Sequence, residues 1–323
     1  MTNRLTSRDK KPQAGKPRIP DFSRFEVCDS YSNSMTDTPV PGGAEAGSQR
    51  LSHKRLLELD RSLGEREKKV LLAIRRHRYL MTGQVQRLLF TEAATPSAAQ
   101  RATSRCLKKL RGLGLVCNLS RRIGGVRAGS ASLVWYLSHA GERLLRLHEH
   151  KPVPVRRFFE PSPYFLAHTL AVAEISIQLT ELCRGEKTGQ GTRLAVLQPE
   201  PECWRPYSER GVQVSLKPDL YAATLSGEYE DRWFFEIDLA TESPAKVIEK
   251  CRRYHQYYRT GLEQKASGVF PLTVWIVPDK RRRDCLASHI RTAFDKHPRL
   301  FAVITVDELA HMILQGGDEG MLC

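Results

Sequence analysis

The sequence has no C-x-x-C pair, no apolar run near the ~20 residues of a membrane span, and no apolar core near its start that would act as a secretory leader. Its eight cysteines are scattered, which argues against a zinc site and against a disulfide framework. Reduced thiols in a cytoplasmic protein are the expectation. A G-x-x-x-x-G-K-[ST] loop is missing, which removes ATP-driven action from the leading readings. Tyrosines in "RRYHQYYR" could serve as nucleophiles, but no His-hydrophobe-His metal triplet accompanies them. "SHIRTAF" likewise lacks the His-x-x-Arg spacing of a tyrosine recombinase. No internal repeat is evident.

Acidic residues are missing from one long stretch. Between Ala93 and Gly141 there are eight basic residues and not one acid. The whole chain of 323 residues carries +15, but the charge is unevenly placed. Residues 1–160 hold 31 Lys+Arg against 14 Asp+Glu, whereas 161–323 hold 20 against 22. One half suits a polyanion and the other does not, so two tasks and two domains are expected.

Residues 1–50 are rich in Pro, Gly, Ser, Thr and Lys without an apolar period, and read as a disordered basic arm. Patterned sequence begins only after Met35, which makes that residue a candidate second start. Over 51–150 the pattern predicts three helices, a hairpin and a flanking helix. Val70, Leu71 and Ile74 mark the first inner face, and Val85, Leu88 and Leu89 the second, with Thr82 as its expected N-cap. The third helix opens on Thr95 or Ser97 near Pro96 and stops at Gly112 or Gly114. "LVCNLSRRI" and "SASLVWYLS" flank the glycine-rich "GGVRAG" as a hairpin.

This is the layout of a winged helix-turn-helix. Arg101, Arg105, Lys108, Lys109 and Arg111 fall on the third helix, and Arg121, Arg122 and Arg127 on the wing. Arg101, Arg105 and Lys108 share one face, as a helix entering the major groove of double-stranded DNA requires. The competing reading is a solvated basic helix in a protein-binding domain.

A proline-bearing linker (151–162) leads to a second domain expected over 163–310, with a tail from 311 to 323. Ser162 and Pro163 open a helix that is apolar nearly all round and therefore buried. Strands are expected near 193–198, 214–224 and 232–239. A helix beginning at Ser243–Pro244 follows, then "LTVWIVP", a helix, and "LFAVITV". The order α-β-β-β-α-β-α-β makes the chain α+β.

"LKPDLYA" and "FFEIDLATES" put Asp219 and Glu236 on successive strands, and Glu174 lies inside the buried first helix. Hard oxygen ligands of this kind suit Mg²⁺ held against a phosphate. Over about 163–277 the arrangement resembles the αβββαβ core of the PD-(D/E)xK nuclease superfamily, the restriction-endonuclease fold. That resemblance implies Asp219, Glu236 and Glu174 as Mg²⁺ ligands. The family's lysine position is Asp238 here, so Lys250, or Lys246 one turn before it, is the candidate replacement. The alternative for each acid is structural: a partner across the sheet for Asp219 and Glu236, or an Arg or Tyr for Glu174. His168 is weighed mainly as a core histidine, and Trp204 mainly as packing.

From about 63 to 305 the chain resembles the replication-relaxation family, on "RYLMTGQVQRLLF", "GSASLVWYLSHAGERLL", "FLAHTLAVAE", "PEPECWR", "LKPDLYA", "FFEIDLATES" and "LTVWIVP". The family implies a role in plasmid replication and DNA relaxation, with plasmid replication or mobilisation proteins as partners. The expected activity is Mg²⁺-dependent nicking. Its rival is a non-enzymatic origin-binding initiator or repressor with an inactive nuclease-like domain. A homodimer would bind two half-sites, and nothing in the sequence counts subunits.

Overall fold

The computed structural model describes residues 51–119, 133–149, 160–184, 191–209, 211–295 and 300–315. The expected basic arm, the expected linker up to residue 159, and wing residues Arg121, Arg122 and Arg127 lie outside them. Among the described residues, no helix is long and apolar enough to cross a membrane.

The first unit runs α1 (His53–Ser62), α2 (Glu65–His77), β1 (Leu80–Met81), α3 (Thr82–Leu89), α4 (Pro96–Gly112), β2 (Val116–Asn118), β3 (Val134–Leu137) and α5 (His139–Leu145). Its three strands form an antiparallel sheet in the order β1-β3-β2. Helix α1 was not anticipated. Ser52 caps it, and Leu56 and Leu59 anchor it in the core with Val70, Leu71 and Ile74. Thr95 caps α4 by accepting from the Ala98 N–H at 3.1 Å, with Pro96 at its first position. Ala99, Thr103, Leu107 and Leu110 recur at helical spacing as its buried stripe.

Thr82 does not cap α3 as expected; it is the first helical residue, and Met81 stands at the cap. Its hydroxyl instead accepts from the Trp135 indole N–H at 2.9 Å, which ties α3 to β3. Gly141 lets α5 approach the backbone of Leu115, directly before β2. A Cβ there would lie 2.1 Å from the Leu115 carbonyl oxygen.

The second unit opens with α6 (Pro163–Cys183), capped by Ser162. It continues through β4 (Arg193–Pro199), β5 (Arg205–Glu209), β6 (Val212–Leu216), β7 (Leu220–Ser226), β8 (Tyr229–Ile237), α7 (Pro244–Arg259), α8 (Leu262–Ser267), β9 (Leu272–Val277), α9 (Lys280–Ala293), β10 (Phe301–Thr305) and α10 (Leu309–Gln315). The main sheet has the order β10-β9-β8-β7-β4. β4–β7 and β7–β8 are antiparallel, while β8–β9 and β9–β10 are parallel. Strand alternation sends Trp233, Phe235 and Ile237 to a core with Ile175, Leu179 and Met312. Phe234 goes to the opposite face, with Tyr254, Cys251 and Ile290.

The single strand expected over 214–224 is two strands. β6 pairs with β5 in a separate two-stranded sheet, and β7 joins the main one. Pro218 sits at the break, where it has no N–H to continue a ladder. The expected tail is also partly structural, because α10 runs to Gln315 and buries Met312 and Ile313.

Helix α6 joins the units. Ala173 and Ile177 pack in the core of the first unit, while Ala171, Val172, Ile175 and Leu179 pack against the main sheet. That double duty is the physical reason it is apolar nearly all round.

Candidate functional site

The antiparallel register of β7 and β8 puts Leu220 opposite Phe235. The residue before one strand and the residue near the end of the other therefore meet at one end of these two interior strands. These are Asp219 and Glu236, and both are buried, Glu236 at 2 % exposure. Asp219 Oδ2 accepts from the Ile237 N–H at 2.8 Å, and its own N–H donates to the Phe235 carbonyl at 3.2 Å. From α6, His168 Nε2 lies 3.3 Å from the same carboxylate oxygen.

Helix α7 faces this end with two side chains one turn apart. Lys250 Nζ lies 3.6 Å from Glu236 Oε2 and 3.3 Å from Glu242 Oε2. Tyr254 donates its hydroxyl to Glu236 Oε1 at 2.6 Å. Of the two candidate lysines, Lys250 reaches the acid, while Lys246 is exposed.

The electrostatics follow from burying two carboxylates together. Burial and the charge of Asp219 push Glu236 up to about 8, against the opposing pull of Lys250, Tyr254 and His168. Burial would lower the His168 imidazole, but the charge and hydrogen bond of Asp219 outweigh it and raise it to about 9. Asp219 is itself held below the usual carboxylate range: His168 and the Ile237 N–H overcome its desolvation. Lys250 is held above its ordinary value, because Glu236, Asp219 and Glu242 outweigh its burial.

Asp238 takes no part in this cluster. Its Oδ2 accepts from Arg282 Nε on α9 at 2.6 Å, and its Oδ1 from the Ala240 N–H at 3.1 Å. Arg282 also donates to the Glu242 carbonyl at 2.6 Å, so the position expected to hold lysine pins α9 to the end of β8.

Glu174, expected as a third ligand, is not brought to Asp219 and Glu236. Its carboxylate faces α3, where Arg87 Nη1 lies at 2.5 Å and Gln84 Nε2 at 3.2 Å. Gln178 Nε2 adds a third donor at 3.2 Å. The acid is buried because it joins the two units, and this is the structural alternative for that residue. Among the described residues, no group of three or more His, Cys, Asp or Glu side chains is arranged to hold a metal.

Along α4, Arg101, Arg105, Lys108 and Arg111 are exposed. Lys109 is exposed as well, but it is ion-paired. Its ammonium lies 2.5 Å from Glu67 on α2, an acid that also accepts from the Gly64 N–H. His168 and Tyr254 are the cluster members that sequence reasoning did not place there. The Lys250–Tyr254 spacing of one helical turn was the available signal for the second. For the first, nothing local distinguishes a site histidine from a core one.

A mixed α+β protein with paired acids at one end of two interior strands is the class these features define. A model of the replication-relaxation family matches residues 71–273, and the chain belongs to that family. Among solved structures, the restriction endonuclease FokI is similar at 13 % identity and a TM-score of 0.25, over 78 % of this chain and 44 % of that one. FokI bound to DNA is similar at 14 % identity and a TM-score of 0.24, over 84 % and 47 %. The chain thus spans less than half the length of either. A search of curated proteins gives no match.

Proposed function

We propose that this protein binds duplex DNA through a winged helix in its first unit and hydrolyses a phosphodiester with the acids of its second, in plasmid or mobile-element replication and DNA relaxation in the cytoplasm. Three helices over a β1-β3-β2 sheet, with a basic exposed face on α4, support the winged helix. With the separate β5–β6 hairpin and the short α8 set aside, the main-sheet order α6-β4-β7-β8-α7-β9, with Asp219 and Glu236 meeting at one end of β7 and β8, supports a PD-(D/E)xK-type domain. The observation that carries the reading is the Lys250 ammonium 3.6 Å from a buried acid that adjoins a second one.

Mg²⁺ fits this donor set. Burial first, and then the charge of Asp219, raise Glu236, and a hard divalent cation is a partner that lets both acids ionise. Asp219 and Glu236 would hold it, and water would complete its shell. The ion supplies stabilisation of the charge that develops on the phosphate. Tyr254 fixes the orientation of Glu236, and the Ile237 N–H and His168 fix Asp219. Lys250 presents an ammonium to a phosphate oxygen and orients the attacking water.

The test is supercoiled plasmid carrying candidate origins, incubated with protein and Mg²⁺ or Mn²⁺. Conversion to open circle by wild type, and its loss in Asp219→Ala, is the expected result. Plasmid that stays supercoiled throughout removes the nuclease reading. One observation favours the second reading, a non-enzymatic initiator or repressor: His168 and Lys250 already give each acid a cationic neighbour. Origin binding without nicking would establish that outcome. A homodimer on paired half-sites, and contacts to replication or mobilisation proteins, belong to either version.

A further inference from the structure

At the first turn of α6, the consecutive residues Tyr164 and Phe165 are both exposed, at 44 % and 38 %. The other large apolar side chains that are exposed among the described residues occur singly along the chain, which is ordinary for a surface. This pair sits beside the candidate site. The Tyr164 ring lies over His168, centroids 6.5 Å apart with planes inclined 29°, and His168 touches Asp219 at 3.3 Å. Thr241, just past the end of β8, donates to the Tyr164 hydroxyl at 3.2 Å and steadies the ring. Arg78, from the first unit, places its guanidinium 5.9 Å from the centre of the Phe165 ring.

Exposed flat rings, one of them stacked on a side chain that touches an acid of the proposed phosphate site, match one ligand chemistry. A nucleotide offers a phosphate and an aromatic base at adjacent positions. In an intact duplex each base is paired and stacked on its neighbours, so its face is not available to a ring beside the backbone. An unpaired base has both faces free, and stacking on an aromatic side chain is tolerant of sequence. We propose that Tyr164 and Phe165 form a stacking platform for an unpaired base, so that the site takes DNA locally opened beside the scissile phosphate rather than a closed duplex. The proposal deepens the nuclease reading and rests on it for the place of the phosphate.

The platform is tested by binding alone, with full-length protein in EDTA so that no strand is cut. The probes are a short duplex and the same duplex with a few unpaired bases, one of them 2-aminopurine. The opened probe should bind about tenfold more tightly, the scale of one lost stack, with its fluorescence quenched. Tyr164→Ala/Phe165→Ala, at positions exposed enough to leave the melting temperature unchanged, should abolish both effects. Tyr164→Phe, which loses only the Thr241 bond, should keep the quenching. Equal affinity for the two probes, or quenching that survives the double alanine variant, would overturn the platform. Quenching in a protein that never nicks plasmid would leave the platform standing and remove the nuclease reading; nicking without quenching would do the reverse.

Discussion

Replacing Arg87 by Met removes the cation that faces buried Glu174 but keeps most of the apolar stem. Breaking a fully buried ion pair by deleting one partner costs about 3–5 kcal/mol, most of it the charge left behind. Two features reduce that figure here. The Arg87 side chain is 34 % exposed, and Gln84 and Gln178 still donate to Glu174 at 3.2 Å each. About 2 kcal/mol remains. The accompanying loss of the exposed Arg87–Glu181 pair adds less than ~1 kcal/mol. Thermal and urea unfolding of Arg87→Met should therefore show a melting temperature lower by roughly 5 °C. Glu174→Gln in the same background should recover part of the loss, since it neutralises the stranded charge. A cycle of both singles and the double should yield a coupling of at least about 1 kcal/mol. Additive effects, or an Arg87→Met cost under about 1 kcal/mol, would refute Glu174 as the charge that joins the two units. Nicking that vanishes with Glu174→Gln at unchanged stability would return it to the metal site.

Gly141→Ala should destabilise the protein by about 3 kcal/mol in urea unfolding, since the new methyl meets the Leu115 carbonyl oxygen on a backbone that cannot yield cheaply. Arg105→Glu should weaken duplex binding and lower its salt slope by about one, whereas Lys109→Ala, which loses its Glu67 partner, should leave that slope alone. In EDTA, stability should fall as pH rises from about 6.5 to about 9. The folded chain keeps the His168 proton up to about 9, while the unfolded chain releases it near 6.5. Glu236, held protonated up to about 8 where the unfolded chain releases it near 4.5, adds a loss that begins at lower pH and ends near 8. Stability present below pH 6.5 is thus lost above it, by on the order of 3 kcal/mol for His168 alone. His168→Gln should remove the slope between about pH 8 and 9 and leave the Glu236 share below it, and a slope unchanged by the substitution would contradict the His168–Asp219 pairing.

Local chemistry made much of the fold legible. Ser162 with Pro163 and Thr95 with Pro96 announce helices that begin there, and the apolar circumference of 163–183 announces its burial. Asp219 and Glu236 could be placed because each lies next to a readable strand end. What stayed hidden is decided by residues far apart in the chain. Glu174 meets Arg87 across 87 positions, and Lys109 meets Glu67 across 42. Neither pairing leaves a mark on spacing or composition. Pro218 is a local signal for the break between β6 and β7, but the alternation of "VQVSLKPDLYAATL" outweighed it.

A helix that is a wall of two cores at once has a consequence for where a strand would be cut. Were the halves tethered by a loose segment, cleavage would scatter over several bonds around the bound sequence. Ala173 and Ile177 on one side of α6, and Ile175 and Leu179 on the other, pack the one helix into both cores. On the proposed reading, the basic helix α4 and the acid pair would then be two marks on one ruler. Cleavage by such a body would fall at a constant count of nucleotides from the sequence it holds, and a deletion in α6 would move that count or destroy both marks together.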